Sequence, residues 1–310
     1  MPITINTNAT AASASMHLTK NSEALRKSLT RLSSGSRIVQ PVDDAGGLAV
    51  SMKLESAITR LSGAQINVQN AISFLEVQDG VMEAAGKIVN RMIELKGLSQ
   101  DVLKNTSDIE NYNREFKDLQ VQLKDMTDVK FNGVSLFAQY TTAGGGTEGV
   151  FDNISRDNTL SIFVSADGSG GPKVSIAKAM LLSALTIDSS SLQSSIHSNA
   201  GTGNVITFAA DSSSAAINLS DVSVGVFTQA LQNIATLRAD NGGSMSRLRF
   251  ASDNIATTKT NMEAANGRIV DVDIATESTR MAKYNVLVQA SASMLAQANT
   301  TGDVALMLIR

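Results

Sequence analysis

The sequence predicts a mainly α-helical protein, a rod of long coiled-coil helices with a small β-containing part in the middle. Apolar residues recur every seven positions near both ends of the 310-residue chain, and a stripe with three- and four-residue spacing covers residues 58–82. Aromatic residues make up only 4% of the chain and tryptophan is absent. This composition favours extended helices over a bulky globular core.

The first predicted helix carries a heptad that begins at Leu18, after a start without strong pattern. Its members are Leu18, Leu25, Leu29, Leu32 and Val39. Pro41 prevents a helix from continuing straight through. Asp43 and Asp44 then supply carboxylates where the N-terminus of the next helix favours negative charge. We therefore expect one helix to end, and a second to begin, near this proline.

The second predicted helix is the longest, running from about Asp44 to Gln100. At a rise of 1.5 Å per residue it would span on the order of 80 Å. That length exceeds the interior of one compact domain, so a rod is indicated. Its stripe over residues 58–82 contains two polar members, Gln65 and Asp79.

A third helix is predicted by apolar residues at three- and four-residue spacing over residues 109–126. Turn and cap residues at 105–108 separate it from the second helix, so the two should form an antiparallel hairpin. It should end before residues 131–134, where Asn-Gly signals a tight turn.

The middle of the chain is its β-leaning part. Residues 160–164 and 174–176 are typical of two strands around a Gly-rich turn, and further short strands are expected at 205–208 and 217–219. Helical pattern returns at Val226 and leads directly into a terminal stretch that begins near residue 269.

The terminal stretch carries the second heptad, an a/d seam that needs a partner helix. Its seam residues are Ile274, Met281, Val288 and Leu295, with Tyr284, Ser291 and Ala298 at the offset positions. Leu287 and Met294 flank this seam and widen it beyond what one partner could cover. The chain then ends on an apolar segment that includes Leu306, Leu308 and Ile309.

Composition argues against several classes of function. A net charge of −3 and a pI of about 5.5 give no reason to expect a nucleic-acid partner. The absence of cysteine excludes disulfides and thiol catalysis, and two distant histidines do not suggest a metal site. The aspartate pairs at 43–44 and at 271 and 273 are typical of helix caps, and no glycine cluster is followed by a P-loop lysine. We expect no enzyme activity, cofactor, metal or membrane span, and no cleavable signal is visible.

Four segments resemble bacterial flagellins. They are, in order, Leu-Ser-Ser-Gly-Ser-Arg-Ile at 32–38, Asp-Asp-Ala-Gly-Gly-Leu-Ala-Val at 43–50, Phe-Asn-Gly-Val at 131–134, and Met-Leu-Ala-Gln-Ala-Asn at 294–299 before a Leu-rich ending and a final arginine. Each motif alone is weak, but four in this order and at these distances from the termini are strong. The resemblance covers about residues 1–138 and 225–310.

The resemblance implies a structural subunit that assembles into the helical flagellar filament and gives swimming motility. It implies an inner coiled-coil domain from residues 1–43 plus 268–310, a helical rod domain from 44–188 plus 223–267 with a β-hairpin, and a short variable insert at 189–222. A hook–filament junction protein, with similar ends, or a secreted coiled-coil effector are the alternatives. Only a filament subunit would form long filaments alone.

Partners follow from the same resemblance. It implies export through the flagellar type III apparatus with an export chaperone, secretion into the extracellular filament, and contact with hook-associated and cap proteins. The two apolar stripes can cover each other, Leu18, Leu25, Leu29 and Leu32 against Met281, Tyr284, Val288 and Leu295. Leu287, Met294, Leu306, Leu308 and Ile309 would then remain for neighbouring copies. We expect both termini to be disordered in the monomer and to fold on assembly.

A further implication concerns Toll-like receptor 5, the innate immune receptor for flagellin. In the family it contacts an arginine and a leucine four residues later on the rod helix, and a glutamate on the next helix. Arg91 and Leu95 match the first pair, and Glu115 fits the third position with a one-residue gap. The alternative interpretation places Arg91 and Glu94 on a solvated or subunit-facing stripe and Leu95 in the core.

Overall fold

The computed structural model describes residues 8–138, 141–142, 149–150, 159–188 and 205–309. The chain divides into two compact units, one from Met1–Thr59 with Lys259–Arg310 and the other from Arg60–Thr258. The helices are α1 (Ala9–Ser34), α2 (Ala45–Ser99), α3 (Thr106–Thr127), the short α4 (Leu181–Ala184), α5 (Val224–Val270) and α6 (Ile274–Ile309). The prediction of long N- and C-terminal helices with a small strand-containing middle is confirmed.

The strands of the described residues form two-stranded antiparallel sheets. The pairs are β1 (Lys130–Phe131) with β2 (Val134–Ser135), β3 (Thr141–Thr142) with β4 (Gly149–Val150), β5 (Thr159–Phe163) with β6 (Lys173–Ala177), and β7 (Thr186–Asp188) with β8 (Val205–Thr207). The strands predicted at 160–164, 174–176 and 205–208 are therefore confirmed within a residue or two. The strand predicted at 217–219 is wrong, because a 3-10 turn occupies Leu219–Asp221 and buries its first side chain.

In the first unit, α1 and α6 form an antiparallel pair. The Asn8 amide donates to the Ala298 carbonyl at 2.8 Å, and the Ser28 hydroxyl donates to the Glu277 carboxylate at 2.6 Å. Helix α1 begins nine residues before the predicted start at Leu18, because the Asn8 side chain caps it. It ends where Gly35 adopts a left-handed conformation with φ 69°.

Two residues that were assigned to the heptads lie outside the buried seam. Ile274 is 66% exposed, because it is the first residue of α6 and the seam begins one turn later, at the buried Glu277. Val39 is also exposed, because α1 has already ended at Ser34. The seam of α6 instead consists of Glu277, Met281, Tyr284, Val288, Ser291, Leu295 and Ala298.

Residues 271–273 form a short break between α5 and α6, so the third long helix leads into the terminal stretch through the predicted capping aspartates. The break is stabilised from a distant part of the chain, since the Arg37 N–H donates to the Val270 carbonyl at 2.6 Å and the Val272 N–H donates to the Gly35 carbonyl at 3.0 Å. The side chain of Asp273 then caps α6, as its predicted role requires. At the other helix start, Asp44 accepts from the Gly47 N–H at 2.8 Å.

The second unit has its apolar core among α2, α3, α5 and the segments between them. Phe227 of α5 packs edge-on against Phe116 of α3, with centroids 5.9 Å apart, and stacks on Phe208 at 4.9 Å. A capping box of Asn105 and Asp108 begins α3, which confirms the predicted turn and cap.

Buried polar side chains of the long helices hold the middle of the chain in this unit. They reach backbone groups as follows: Gln78 to Leu136, Lys96 to Leu219 and Ser220, Gln120 to Ile217, and Asn233 to Ala184. The carbonyls and amides of these irregular segments would otherwise be short of partners. These buried polar residues are thus explained by the segments that they bind, whereas Asp79, a polar member of the predicted stripe, binds the Arg238 side chain of α5.

Candidate assembly surfaces and receptor-contact residues

The apolar stripes predicted on α1 and α6 face each other only in part. Leu18, Leu25 and Leu32 are half-buried, whereas Leu29 is 47% exposed. On α6, the residues Met281, Tyr284, Val288 and Leu295 are all half-buried. Among the described side chains of these two helices, only those of the polar residues Ser28 and Glu277 are buried. A single chain therefore leaves much of its terminal apolar surface in contact with water.

The flanking residues extend this uncovered surface. Met294 is 67% exposed and Leu287 is half-buried. Met16 and Val286 are exposed as well, although the heptad analysis did not select them. The signal that could have found them is the occurrence of a large apolar residue outside the seam register. Helix α6 continues to Ile309, but the side chains of Leu306, Leu308 and Ile309 lie outside the described residues.

A polar cluster closes the pair near the end of α1. The Arg31 guanidinium lies 3.6 Å from the carboxylate of Asp43 and 4.0 Å from that of Glu277. Lys27 also pairs with Asp43, and this hydrogen bond holds the pKa of the Asp43 carboxyl below its usual value. Lys27 and Arg31 thus compensate the negative charge of Asp43, close to the buried Ser28–Glu277 hydrogen bond.

The three candidate receptor residues belong to the second unit, and the structure brings two of them together. The Arg91 Nε donates to Glu115 at 2.8 Å and its Nη2 donates to the other Glu115 oxygen at 3.2 Å, while Nη1 donates to Glu94 at 2.8 Å. These carboxylates raise the pKa of Arg91 further above its usual value. Leu95 has no exposed surface. In this conformation it packs in the core and offers a partner no direct contact.

The described residues hold no group of three or more histidine, aspartate or glutamate side chains that could bind a metal ion. No helix within the described part of the chain combines the length and apolar character that crossing a membrane requires.

Comparison with known proteins places both ends of the chain in one family. Residues 5–142 match the bacterial flagellin N-terminal helical region, and residues 224–309 match the bacterial flagellin C-terminal helical region. The flagellin of Listeria monocytogenes is 30% identical over 306 residues, covering 98% of this chain and 99% of that protein. The flagellin of Bacillus subtilis is 29% identical over 313 residues, and a flagellar filament 33 kDa core protein of Treponema phagedenis is 28% identical over 318 residues, each covering 99% of both chains.

Proposed function

Because this chain belongs to the flagellin family and is a structural subunit of the flagellar filament, we propose that copies join through the apolar surface that α1 and α6 leave uncovered. In this proposal, residues 1–43 and 268–310 form the inner domain of the filament and residues 44–188 with 223–267 the helical domain around it. The observation that carries it is the incomplete burial of the α1–α6 pair: its apolar seam is only half-buried, and Leu29 and Met294 are exposed.

The free energy of burial stabilises the terminal helices only when neighbouring subunits cover them. Burying one leucine-sized side chain contributes about 1.5–3 kcal/mol. Ordering one residue of backbone costs about 1–2 kcal/mol, so half-buried contacts within one chain leave long helices marginal. Leu29, Leu287 and Met294, with Leu306, Leu308 and Ile309, supply the additional burial when neighbouring subunits cover them. The termini are therefore disordered in the free monomer and helical in the filament.

Circular dichroism of monomer and filament tests this proposal. The filament should contain more helix per chain than the monomer, and equal helicity in both states would contradict the folding step. Met294→Ser should raise the critical concentration for polymerisation about tenfold, because a loss of about 1.4 kcal/mol of burial corresponds to that factor. Lys283→Ser, an exposed polar site on the same helix, is the matched control.

In this proposal the subunit is secreted through the flagellar type III export apparatus with the help of an export chaperone. The ends of the filament contact hook-associated and cap proteins. The family membership of the chain supports these partners. Extracellular protein should disappear in cells that lack the export apparatus and persist in cells that lack only the general secretory signal peptidase. Retention of extracellular protein without the export apparatus would contradict this route.

Toll-like receptor 5 is the proposed partner of the surface around Arg91. The Arg91–Glu115 pair supports this, because both side chains are about two-fifths exposed and their charges are displayed together. Leu95 would act indirectly, by fixing α2 in the core. In a receptor reporter-cell assay, Arg91→Ala should reduce the response to monomer, whereas Lys87→Ala, one turn away, should not. No response to the monomer, or no loss with Arg91→Ala, would contradict the assignment.

A further inference from the structure

The connection between α2 and α3 exposes two adjacent apolar residues. Val102 is 95% and Leu103 is 92% exposed. The turn that carries them is internally hydrogen-bonded, since the Leu103 N–H donates to the Asp101 side chain at 3.0 Å and the Lys104 N–H donates to the Asp101 carbonyl at 3.2 Å. Turns of this kind usually carry glycine, asparagine or serine. We call the exposed pair Val102–Leu103 the knob.

The same unit contains an apolar groove of about 310 Å³ between α2, the β1–β2 turn and the β5–β6 hairpin. Its apolar lining comprises Phe74, Phe131, Val134, Leu160, Ile162 and Phe163. Phe74 and Phe131 pack edge to face with centroids 6.0 Å apart, which fixes one wall. Asparagine and serine side chains supply the polar part of the lining, so the groove suits an aliphatic side chain with a polar backbone around it.

The knob of a chain cannot occupy the groove of the same chain. The groove meets α2 at residues 67–74, and the knob follows the end of α2 at Ser99. The helix is continuous between these points, and 25 residues at 1.5 Å each hold them about 38 Å apart. Only a second copy can bring the two surfaces together. Because they are different surfaces of one unit, their contact is heterologous, repeats from copy to copy, and builds a fibre when it does not close into a ring.

Charged residues lie beside both surfaces. Asp101 precedes the knob directly, and its backbone and side chain fix the turn. Lys130 and Lys173 are exposed on β1 and β6, the strands beside Phe131 and Phe163 of the groove. Lys104 follows the knob directly, so the knob has an acidic side and a basic side. The basic groups beside the groove attract the Asp101 side and repel the Lys104 side, which favours one docked orientation.

We propose that the Val102–Leu103 knob of one subunit inserts into the Phe74–Phe131–Leu160 groove of the next subunit along the filament. This contact rests on the filament function stated above and adds to it a second interface, made by the Arg60–Thr258 unit instead of by α1 and α6. Its occupant is another copy of this chain.

Disulfide cross-linking tests the contact cleanly, because the native chain has no cysteine. Filaments of Leu103→Cys with Ser161→Cys, a groove residue, should give a ladder of covalent oligomers on oxidation. The bond forms only when the two Cα atoms approach within about 7 Å. Filaments of Leu103→Cys with Thr236→Cys, an exposed site on α5, should give no ladder. Absence of the ladder from the groove pair, or an equal ladder from both pairs, would overturn the proposal.

Polymerisation of two further variants provides a second test. The double variant Val102→Ser with Leu103→Ser removes the knob, and Ser161→Tyr fills the groove. Each should raise the critical concentration at least tenfold without changing the unfolding temperature of the monomer, whereas Thr236→Ser should change neither. A critical concentration within twofold of the unsubstituted chain would refute the knob contact. If the knob and groove variants polymerise normally but Met294→Ser does not, the knob contact is refuted and assembly through the terminal helices is still supported.

Discussion

Replacement of Gln120 in α3 should destabilise the second unit, because the amide nitrogen and the amide oxygen of this side chain both bond the backbone of one residue, Ile217. Its Nε2 donates to the Ile217 carbonyl at 2.9 Å, and its Oε1 accepts from the Ile217 N–H at 3.1 Å. Its own backbone carbonyl accepts from the Ala210 N–H at 3.4 Å. The Gln120 side chain, which has no exposed surface, thus attaches the segment that leads into α5 to α3. Asn113 of α3 adds a second attachment, because its side chain accepts from the Leu219 N–H at 2.9 Å.

Gln120→Ala removes both side-chain bonds and leaves an amide and a carbonyl without these partners. A buried group left unpaired costs about 1–3 kcal/mol, and the lower half of that range applies here because Ile217 is only half-buried. With the lost packing, the free energy of unfolding should fall by about 2–4 kcal/mol. For a unit of this size, about 2–4 °C per kcal/mol gives a drop in melting temperature of roughly 4–16 °C.

Thermal unfolding followed by circular dichroism measures this change, and Gln122→Ala is the matched control. Gln122 lies on the same helix with an exposed side chain, so its replacement should change stability by no more than about 0.5 kcal/mol. Amide hydrogen exchange at Ile217 should also become faster in the Gln120 variant alone. Equal melting temperatures for the two variants would refute the reasoning, because the attachment would then contribute nothing beyond an exposed glutamine.

Three further predictions rest on single contacts. Leu95→Ala should destabilise the second unit by about 2–5 kcal/mol in urea unfolding, and Leu98→Ala, on an exposed site of the same helix, by well under half as much. Arg238 binds Asp79 through two 2.9 Å hydrogen bonds that lower the pKa of Asp79, so stability from the pair is present above the unfolded value of about 3.9 and is lost as the pH falls below it. Asp79→Asn should therefore cost about 1 kcal/mol at pH 7, after allowance for solvent screening of this partly exposed pair. The difference should shrink as the pH falls through the lowered pKa of Asp79, and a difference independent of pH throughout acid titration would contradict this. Ser28→Ala should lower the melting temperature of filaments, because it removes a 2.6 Å hydrogen bond to the buried carboxylate of α6.

Features set by neighbouring residues could be predicted from the sequence. Helix α2 has nearly its predicted length, the capping box at Asn105 and Asp108 begins α3, and the β5–β6 hairpin lies where alternating apolar residues placed it. Each depends on spacing or capping within a few positions along the chain. The turn at Asn132, whose φ is 49°, follows from the same kind of local signal.

Features set by distant residues could not be predicted. The capping aspartates indicate a break before α6, but not the backbone bonds that stabilise it, which join residues 35–37 to residues 270–272, more than 230 positions apart. The 3-10 turn at Leu219–Asp221 receives Lys96 from α2, with the ammonium 2.7 Å from the Leu219 carbonyl. For the candidate receptor site, the sequence motif identifies Arg91, Leu95 and Glu115. Only the fold shows that the side chains of Arg91 and Glu115 are partly exposed and that Leu95 is buried.

The seam between α1 and α6 shows why spacing alone misassigned its first residue. The predicted seam consists mainly of apolar residues, yet the most buried layer of this pair is Ser28 with Glu277. A second polar layer joins Asn21 to Ser291, an offset residue of the predicted seam, at 2.9 Å. Polar groups at seam positions fix the register of a coiled coil at a cost in stability. A pair whose most buried layer is polar, whose apolar seam is only half-buried and whose Met294 is exposed gains little from pairing alone and much from being covered. That distribution suits a subunit whose terminal helices must align correctly within one chain but become stable only among many.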